Sequence, residues 1–250
     1  MKIAILTENN SRIDNYLLAE PGFSAFLELQ NKKILFDTGY SDVFLKNAQE
    51  IGIDLNDITD IVISHGHNDH TGGLRYFNPK NQNIKLTAHP NIFDSKVDEN
   101  GIVHGCPITK EMTEKQFTLN LTSKPEYVSE NLLFLGEIEN NFTENIDDSA
   151  LVYIFDDKLF IITGCSHSGI INIVNYAKKV TGINKLYGII GGMHLLNKNN
   201  DELINLAKFF KNENMRYFAP CHCCDLNSKI ILSQYNKIEE ICVGDTVVLE

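Results

Sequence analysis

Residues 64–73 concentrate side chains that bind metal ions. The segment reads Ser-His-Gly-His-Asn-Asp-His-Thr-Gly-Gly, with three histidines and one aspartate between positions 65 and 70. Imidazole and carboxylate are ligands that borderline-soft divalent metals prefer. Alternate side chains of an extended segment share a face, so we expect His65 and His67 to hold one ion. Asp69 and His70 are adjacent and diverge, which suits a second ion. The alternative is a polar surface loop that is rich in histidine.

Three further histidines share one setting in the second half of the chain. His167, His194 and His222 each follow a short apolar run and have small residues nearby. We interpret His167 and His222 as ligands that converge on the same cleft as the first cluster. For His194, contact with a substrate or product is as good an interpretation as metal binding. A single histidine at a strand end is more often structural, and the shared setting is what favours the ligand interpretation.

Other polar side chains are candidates for supporting roles. Asp37 ends an apolar run and is placed to accept a hydrogen bond from a ligand histidine, or to cap the following turn. Asp148 follows Asp147 before another apolar run, and either carboxylate points into the cleft or caps a turn. Cys165 is a soft ligand or a small buried residue. Three cysteines near His222 are ligands, redox-active groups or packed side chains: Cys221, Cys223 and Cys224.

Composition excludes several classes of protein. The 250 residues carry 22 Lys and Arg against 33 Asp and Glu, a net charge of −11 that argues against a nucleic-acid partner. No apolar run approaches the ~18 residues that cross a bilayer, and the N-terminus turns polar too early for a signal peptide. The six cysteines lack the spacing of a secreted disulfide framework. We therefore expect a cytoplasmic protein with reduced thiols and no membrane partner.

The elements that position these residues repeat in two halves. The first half predicts strands at 2–7, 22–29, 32–37, 60–64 and 84–88, a helix from Ser41 to about Ile51 and a short helix through Tyr76. Residues 91–123 are expected to form an irregular insertion. The second half predicts strands near 127–135, 150–156, 158–163, 185–190 and 215–219, helices at 170–180, 201–213 and 226–235, and a strand pair around 238–249. This pattern predicts one domain, 1–250, built as an αββα sandwich of two mixed sheets with outer helices.

These motifs resemble a known family. The His-x-His-x-Asp-His segment, with Leu-Phe-Asp-Thr-Gly at 35–39, resembles the metallo-β-lactamase superfamily. Four segments narrow the resemblance to the branch named for 7,8-dihydropterin-6-methyl-4-(β-D-ribofuranosyl)aminobenzene 5′-phosphate synthase, which acts in methanopterin synthesis. They are Ser-His-Gly-His-Asn-Asp-His-Thr-Gly-Gly-Leu at 64–74, Thr-Gly-Cys-Ser-His-Ser-Gly-Ile-Ile-Asn-Ile at 163–173, Gly-Gly-Met-His-Leu at 191–195 and Pro-Cys-His-Cys at 220–223.

The resemblance implies a dinuclear site in an αββα fold. By the superfamily pattern, His65, His67 and a later histidine hold one metal, whereas Asp69, His70 and His222 hold the other. Many relatives carry a separate histidine before the second-half strands and a bridging aspartate in a Thr-Gly-Asp turn. Here the turn contains Cys165, and Asp147-Asp148 occupies the upstream position. We assign His167 as the missing ligand and leave the bridging ligand open.

The predicted function is metal-assisted chemistry on a small anionic substrate. Two divalent transition metals, zinc first and iron or manganese as alternatives, would lower the pKa of a shared water, which Asp69 would orient as a catalytic residue. The substrate is a phosphorylated or ester-like molecule. The branch resemblance implies condensation of a dihydropterin diphosphate with an aminobenzene ribose phosphate, which releases pyrophosphate. The alternatives are a phosphodiesterase, lactonase or thioesterase of the same fold, and a non-catalytic sensor or redox protein that binds iron.

Overall fold

A computed structural model describes residues 1–80, 83–138 and 146–249. Its strands, in chain order, are β1 Lys2–Thr7, β2 Ser24–Glu28, β3 Lys33–Phe36, β4 Asp60–Val62, β5 Lys85–Ala88, β6 Thr118–Leu121, β7 Glu126–Ser129, β8 Leu132–Phe134, β9 Ala150–Phe155, β10 Lys158–Thr163, β11 Leu186–Gly192, β12 Tyr217–Cys221 and β13 Thr246–Val248. Its α-helices are α1 Val43–Glu50, α2 Asn68–Thr71, α3 Lys110–Glu114, α4 Ile170–Thr181, α5 Asn200–Glu213 and α6 Leu226–Ser233.

Residue contacts divide the chain into two compact units. Unit 1 comprises Met1–Ser123 together with the segment that begins at Cys242, and unit 2 comprises Lys124–Ile241. Each unit contains one sheet and its own helices. That the two units form a single domain, 1–250, stays a prediction.

The sheet of unit 1 places the histidine motif at one of its edges. Its strand order is β13-β1-β2-β3-β4-β5-β6. The pairs from β13 to β3 are antiparallel, whereas β3, β4, β5 and β6 run parallel. Carboxyl ends of neighbouring parallel strands lie at the same edge of a sheet. Asp37 follows β3 and the motif follows β4, so the sequence order alone brings them to one edge.

One side chain of α1 fastens the helix to the rest of unit 1. Phe44 and Ala48 pack into the apolar core beside β1 to β5, while Asn47 on the same helix is 1% exposed. The Asn47 amide donates to the carbonyls of Leu6 and Leu18, both at 2.8 Å. Its oxygen accepts the Leu18 N–H at 2.9 Å. One amide therefore satisfies three backbone groups of two other segments.

The sheet of unit 2 follows the same plan. Its order is β12-β11-β10-β9-β8-β7, with β10, β11 and β12 parallel and the other pairs antiparallel. Helices α4, α5 and α6 contribute their buried faces to one apolar core, in which Val174, Phe210 and Leu232 are at most 1% exposed. The loops after β10, β11 and β12 carry His167, His194 and His222, again at one sheet edge.

Several boundaries differ from those that the sequence predicted. The single strand expected at 127–135 is a hairpin of β7 and β8, because the chain turns at Glu130 and Asn131 and the two strands pair antiparallel. Strand β12 continues through Pro220, which the prediction placed outside it. Since β12 is an edge strand, the missing N–H of proline costs no ladder bond on the open side.

Two further segments contain other elements than expected. Within the described residues, 238–249 holds one strand, β13, which pairs antiparallel with β1 rather than with a neighbour. The expected irregular segment 91–123 ends in helix α3 and strand β6. Strand β6 pairs parallel with β5. The strand was missed because its backbone hydrogen bonds go to a distant segment, and the short polar sequence by itself gives no sign of that pairing.

The described helices do not provide a membrane crossing. None in residues 1–80, 83–138 and 146–249 combines the length and the apolar character that a bilayer requires.

Replacing Asn47 by Ala should strongly destabilise the protein. The change leaves the buried Leu6 carbonyl and the partly buried N–H and carbonyl of Leu18 without the Asn47 amide, so we expect the free energy of unfolding to fall by about 1–3 kcal/mol. Urea denaturation followed by circular dichroism measures this loss. The matched control is Lys46→Ala, which removes an exposed ion pair with Asp42 and should change stability by less than about 0.5 kcal/mol. Equal effects of the two substitutions would contradict the assigned role of Asn47.

Candidate metal centre

The buried carboxylate of Asp37 organises the motif in unit 1. Asp37 is fully buried, and its backbone adopts the left-handed conformation with φ 53°. One carboxylate oxygen, Oδ1, accepts the Ser64 N–H at 2.7 Å. The other, Oδ2, accepts the Ser64 hydroxyl at 2.6 Å and lies 2.7 Å from His70 Nδ1. Of the two sequence interpretations of Asp37, these contacts correspond to the acceptor for a ligand histidine.

These hydrogen bonds determine which ring nitrogen of each histidine carries the lone pair that can bind a metal ion. An ionised carboxylate only accepts hydrogen bonds, so His70 Nδ1 carries the proton and His70 Nε2 keeps its lone pair. The Ser64 hydroxyl donates to Asp37, so it accepts a hydrogen bond from His65 Nδ1, which lies 2.9 Å away. His65 Nε2 is therefore also a lone-pair donor. This tautomer assignment follows from the hydrogen-bond network.

The candidate ligand atoms of the motif lie close to one another. His65 Nε2 lies 3.0 Å from His67 Nδ1, close to the separation of about 3.3 Å between two nitrogens that share a tetrahedral zinc ion. His70 Nε2 lies 3.7 Å from Asp69 Oδ2. Burial lowers the pKa of His67 to about 4, against the opposing charge of Asp69, and so keeps this imidazole neutral. Neutral imidazoles and a carboxylate at these separations fit divalent transition metals.

Close backbone packing holds the motif in place. The Thr38 N–H and hydroxyl both donate to the His70 carbonyl, at 2.8 and 3.0 Å. A Cβ at Gly72 would lie 2.2 Å from the Tyr40 carbonyl oxygen, and one at Gly73 would lie 2.2 Å from that of Thr38. Only glycine permits this approach, so the pair lets helix α2 lie directly against the segment that follows β3.

The first histidine loop of unit 2 is also held by buried polar contacts. The Thr163 and Ser166 hydroxyls donate to the Gly192 carbonyl, at 2.9 and 2.6 Å. The Ser168 N–H donates to Asp148 Oδ2 at 2.8 Å. Burial raises the pKa of Asp148 to about 7, against the lowering effect of the Ser168 hydrogen bonds. Its other oxygen, Oδ1, has no hydrogen-bond partner among the described residues. Asp148 thus lies beneath the loop that carries His167.

The Cys223 sulfur joins the other two loops. The His194 N–H donates to Cys223 Sγ at 3.1 Å, and this sulfur lies 3.5 Å from the Cys165 carbonyl oxygen. A Cβ at Gly192 would lie 2.7 Å from the same sulfur. Burial opposes ionisation of Cys223, but hydrogen bonds from Cys165 and His194, together with nearby His222, lower the pKa of the thiol well below its usual value.

Each unit thus brings together the site residues that the sequence predicted within it. In unit 1 the four motif residues and Asp37 form one cluster. In unit 2 the His167 and His194 rings lie 4.5 Å apart between centroids, while buried His222 follows β12 in a left-handed conformation, φ 51°. His104, which lies in the segment expected to be irregular, has its ring 5.1 Å from that of His67.

Sequence reasoning missed the residues that act through hydroxyl groups. Ser64 links Asp37 to His65, and Thr163 with Ser166 fixes the carbonyl between the loops. Ser64 stands next to the first histidine, and this adjacency was the available signal. The other two hydroxyls carry no comparable signal, because their common acceptor is a backbone atom more than twenty residues away in sequence.

Comparison with known proteins agrees with this arrangement. The metallo-beta-lactamase superfamily profile matches residues 18–176. The chain is 31% identical to the 7,8-dihydropterin-6-methyl-4-(beta-D-ribofuranosyl)-aminobenzene-5′-phosphate synthase of Methanocaldococcus jannaschii, over 89% of this chain and 87% of that protein. It is also 31% identical to the uncharacterised protein MJ0448 of the same organism, over 98% and 99%. A crystal structure of Tm1679, a metal-dependent hydrolase of the beta-lactamase superfamily, matches with TM-score 0.86 and 29% identity, over 100% and 99%.

The chain belongs to the metallo-β-lactamase superfamily. The predicted fold class, an αββα fold with two mixed sheets, is confirmed by the match to the hydrolase structure. Within the superfamily, the predicted resemblance to the dihydropterin-linked synthase branch is confirmed by the synthase relative.

Replacing Asp37 by Asn should weaken metal binding while the fold is kept. The asparagine oxygen can still accept from Ser64, but its NH₂ group cannot accept the His70 Nδ1 proton, so His70 changes tautomer. We expect metal affinity to fall about 10–100-fold. Competition with a chromophoric chelator measures it. The control is Asp57→Asn on the surface, where the carboxylate is 61% exposed. Affinity equal to the wild type in Asp37→Asn would refute the orienting role.

Proposed function

We propose that this protein is a metal-dependent enzyme that acts on a small anionic, phosphorylated substrate. The observation that carries the proposal is the Asp37 network, in which one buried carboxylate fixes the tautomers of His65 and His70. A histidine-rich surface loop has no need of such orientation, whereas metal ligands depend on it. Superfamily membership supports the same conclusion.

The ligand assignment combines the two clusters. We propose that His65, His67 and His167 hold one ion, and that Asp69, His70 and His222 hold the second. Zinc is our first choice, with iron or manganese as alternatives, because histidine and aspartate accept all three. Asp148 supports the His167 loop through Ser168. Cys165 supports the neighbouring loop through its contact with Cys223.

The protein side chains supply positioning and proton transfer. Divalent ions at this site would provide Lewis acidity, which lowers the pKa of water and neutralises charge that develops on a phosphate oxygen. Asp69 is 27% exposed, whereas its neighbour His70 is fully buried. Asp69 is therefore the group that a solvent molecule reaches, and we assign it to orient the attacking group by accepting its proton.

The reaction that best fits the relatives is transfer with loss of diphosphate. The synthase relative is named for a product that joins a dihydropterin to an aminobenzene ribose phosphate, and we propose that this chain forms such a product from a dihydropterin diphosphate. His194 is exposed and beside His167, so we assign it to contact substrate rather than metal. Hydrolysis of a phosphodiester, lactone or thioester is the second candidate, because Tm1679 is named as a metal-dependent hydrolase.

Metal analysis provides the first test. Protein purified without added metal or chelator should contain about two transition-metal ions per chain. His65→Ala and His222→Ala should each reduce the content to about one. His89→Asn is the control, because His89 caps a 3₁₀ turn that asparagine also caps, and it should leave the content unchanged. A content of one ion or none in the wild type, even after reconstitution, would refute the dinuclear assignment and favour an iron-binding sensor.

Turnover provides the second test. The metal-loaded protein should release pyrophosphate from the paired dihydropterin and aminobenzene substrates, and Asp69→Ala should abolish release while the circular dichroism spectrum stays unchanged. A parallel assay with bis(p-nitrophenyl) phosphate detects the hydrolase alternative. Full activity of Asp69→Ala in either assay would contradict the role of this carboxylate.

A further inference from the structure

A β-hairpin in unit 1 lies against the histidine motif and contributes none of the proposed metal ligands. It spans residues 94–104. Its root is joined to the motif by two backbone contacts, because Gly105 pairs antiparallel with His67 and the Asn68 N–H donates to the His104 carbonyl at 2.8 Å. The 94–104 hairpin is therefore fixed to the same backbone that carries the ligand side chains.

An aspartate closes the tip of this hairpin. The Asp98 N–H donates to the Ile102 carbonyl at 3.0 Å. The Asp98 carboxylate oxygen Oδ1 accepts the N–H groups of Asn100 and Ile102, at 2.9 and 2.8 Å. These bonds hold the two arms in register and engage the carboxylate at the tip.

The register determines which side chains of the hairpin face the motif. The His104 N–H donates to the Lys96 carbonyl at 3.0 Å, so these two residues lie opposite each other and share one face. Val97 and Val103 also form an opposite pair, one position further along, and therefore lie on the other face. They are 51% and 66% exposed. The His104 ring lies 5.1 Å from the His67 ring, so the face that carries Lys96 is turned toward the motif.

Lys96 thereby brings a positive charge to the ligand histidines. It is the only lysine or arginine of the sequence between 94 and 104, and its side chain is half-buried. Burial is the main cause of the low pKa of His67, and the charge of Lys96 lowers that pKa further. The strand register and the electrostatic effect agree on the position of this side chain.

A cation at this position opposes the binding of metal ions. Like charges repel, so an ammonium group beside ligands for divalent ions costs metal affinity. The cost is removed when an anion binds where both positive charges can reach it. A lysine ammonium group has three N–H donors and a compact charge, and it is a common partner of phosphate oxygens. A neutral ester or lactone would not compensate the repulsion in this way.

We propose that Lys96 binds a phosphate group of the substrate and so selects phosphorylated substrates over neutral ones. The proposal rests on the proposed function, since it names the residue that recognises the anion at the same site. Lys96 is a binding residue here and holds no metal ion.

Titration with a phosphate analogue that cannot be turned over tests this role. Phenylphosphonate, used as the dianion, is titrated calorimetrically into the metal-loaded protein. Lys96→Gln should weaken its binding at least about tenfold, because a hydrogen bond to a charged group is lost. Lys96→Arg keeps the charge and should bind more tightly than Lys96→Gln. The control is Lys110→Gln, at an exposed lysine of α3, which should bind as the wild type does. Equal affinities of Lys96→Gln and the wild type would overturn the proposal.

Metal affinity distinguishes recognition of the anion from a structural role. Competition with a chromophoric chelator should show that Lys96→Gln binds metal as tightly as the wild type or more tightly, because a repelling charge is removed. If Lys96 only supported the hairpin, its loss would disturb the motif and lower both affinities. A fall in metal affinity together with phenylphosphonate affinity would therefore also overturn the proposal.

The outcome is separable from that of the proposed function. The metal content of the wild type is measured without phenylphosphonate. Fewer than two ions per chain, with phenylphosphonate binding that still depends on Lys96, would refute the dinuclear assignment and keep the anion site. Two ions per chain, with equal phenylphosphonate affinity in the wild type and Lys96→Gln, would do the reverse.

Discussion

The hydrogen bonds of the Asp37 carboxylate are the constraint on which the candidate centre depends. A fully buried carboxylate is costly unless its oxygens are satisfied, and here the Ser64 N–H, the Ser64 hydroxyl and His70 satisfy them. The same bonds join the turn after β3 to the turn after β4. Removal of the charge would therefore change the tautomer of His70 and the orientation of its ring, while the bonds to Ser64 can persist.

Four residues that follow strands adopt a left-handed backbone conformation. Asp37, Ser166, His194 and His222 all have left-handed φ angles between 51° and 63°, although such a conformation costs a residue other than glycine about 1–2 kcal/mol. For the first three, the compensating contact is visible. The Asp37 carboxylate, the Ser166 hydroxyl and the His194 N–H each make a hydrogen bond to a neighbouring turn. Strained turns of this kind hold side chains in directions that relaxed loops would not maintain.

The sequence predicted most of the fold and the centre of the site in unit 1. Alternation and punctuation located nearly every strand, and the motif with Asp37 could be found because neighbouring parallel strands bring both to one edge. Sequence periodicity did not reveal the break within 127–135 or the extension of β12 through Pro220, because both depend on strand pairing. The sequence left the role of His194 open between metal and substrate, and the exposure of its side chain beside His167 became visible only in the structure.

The pairing of β13 with β1 has a consequence for synthesis of the chain. Unit 2 lies between these two strands in sequence, so β1 is synthesised before unit 2 and its partner Thr246–Val248 after it. Throughout translation of residues 124–241, one side of β1 has no strand beside it. An exposed strand edge is a template for pairing with other chains. The nascent chain thus carries an open edge in unit 1 until β13 emerges from the ribosome, and the risk of aggregation is concentrated in that interval.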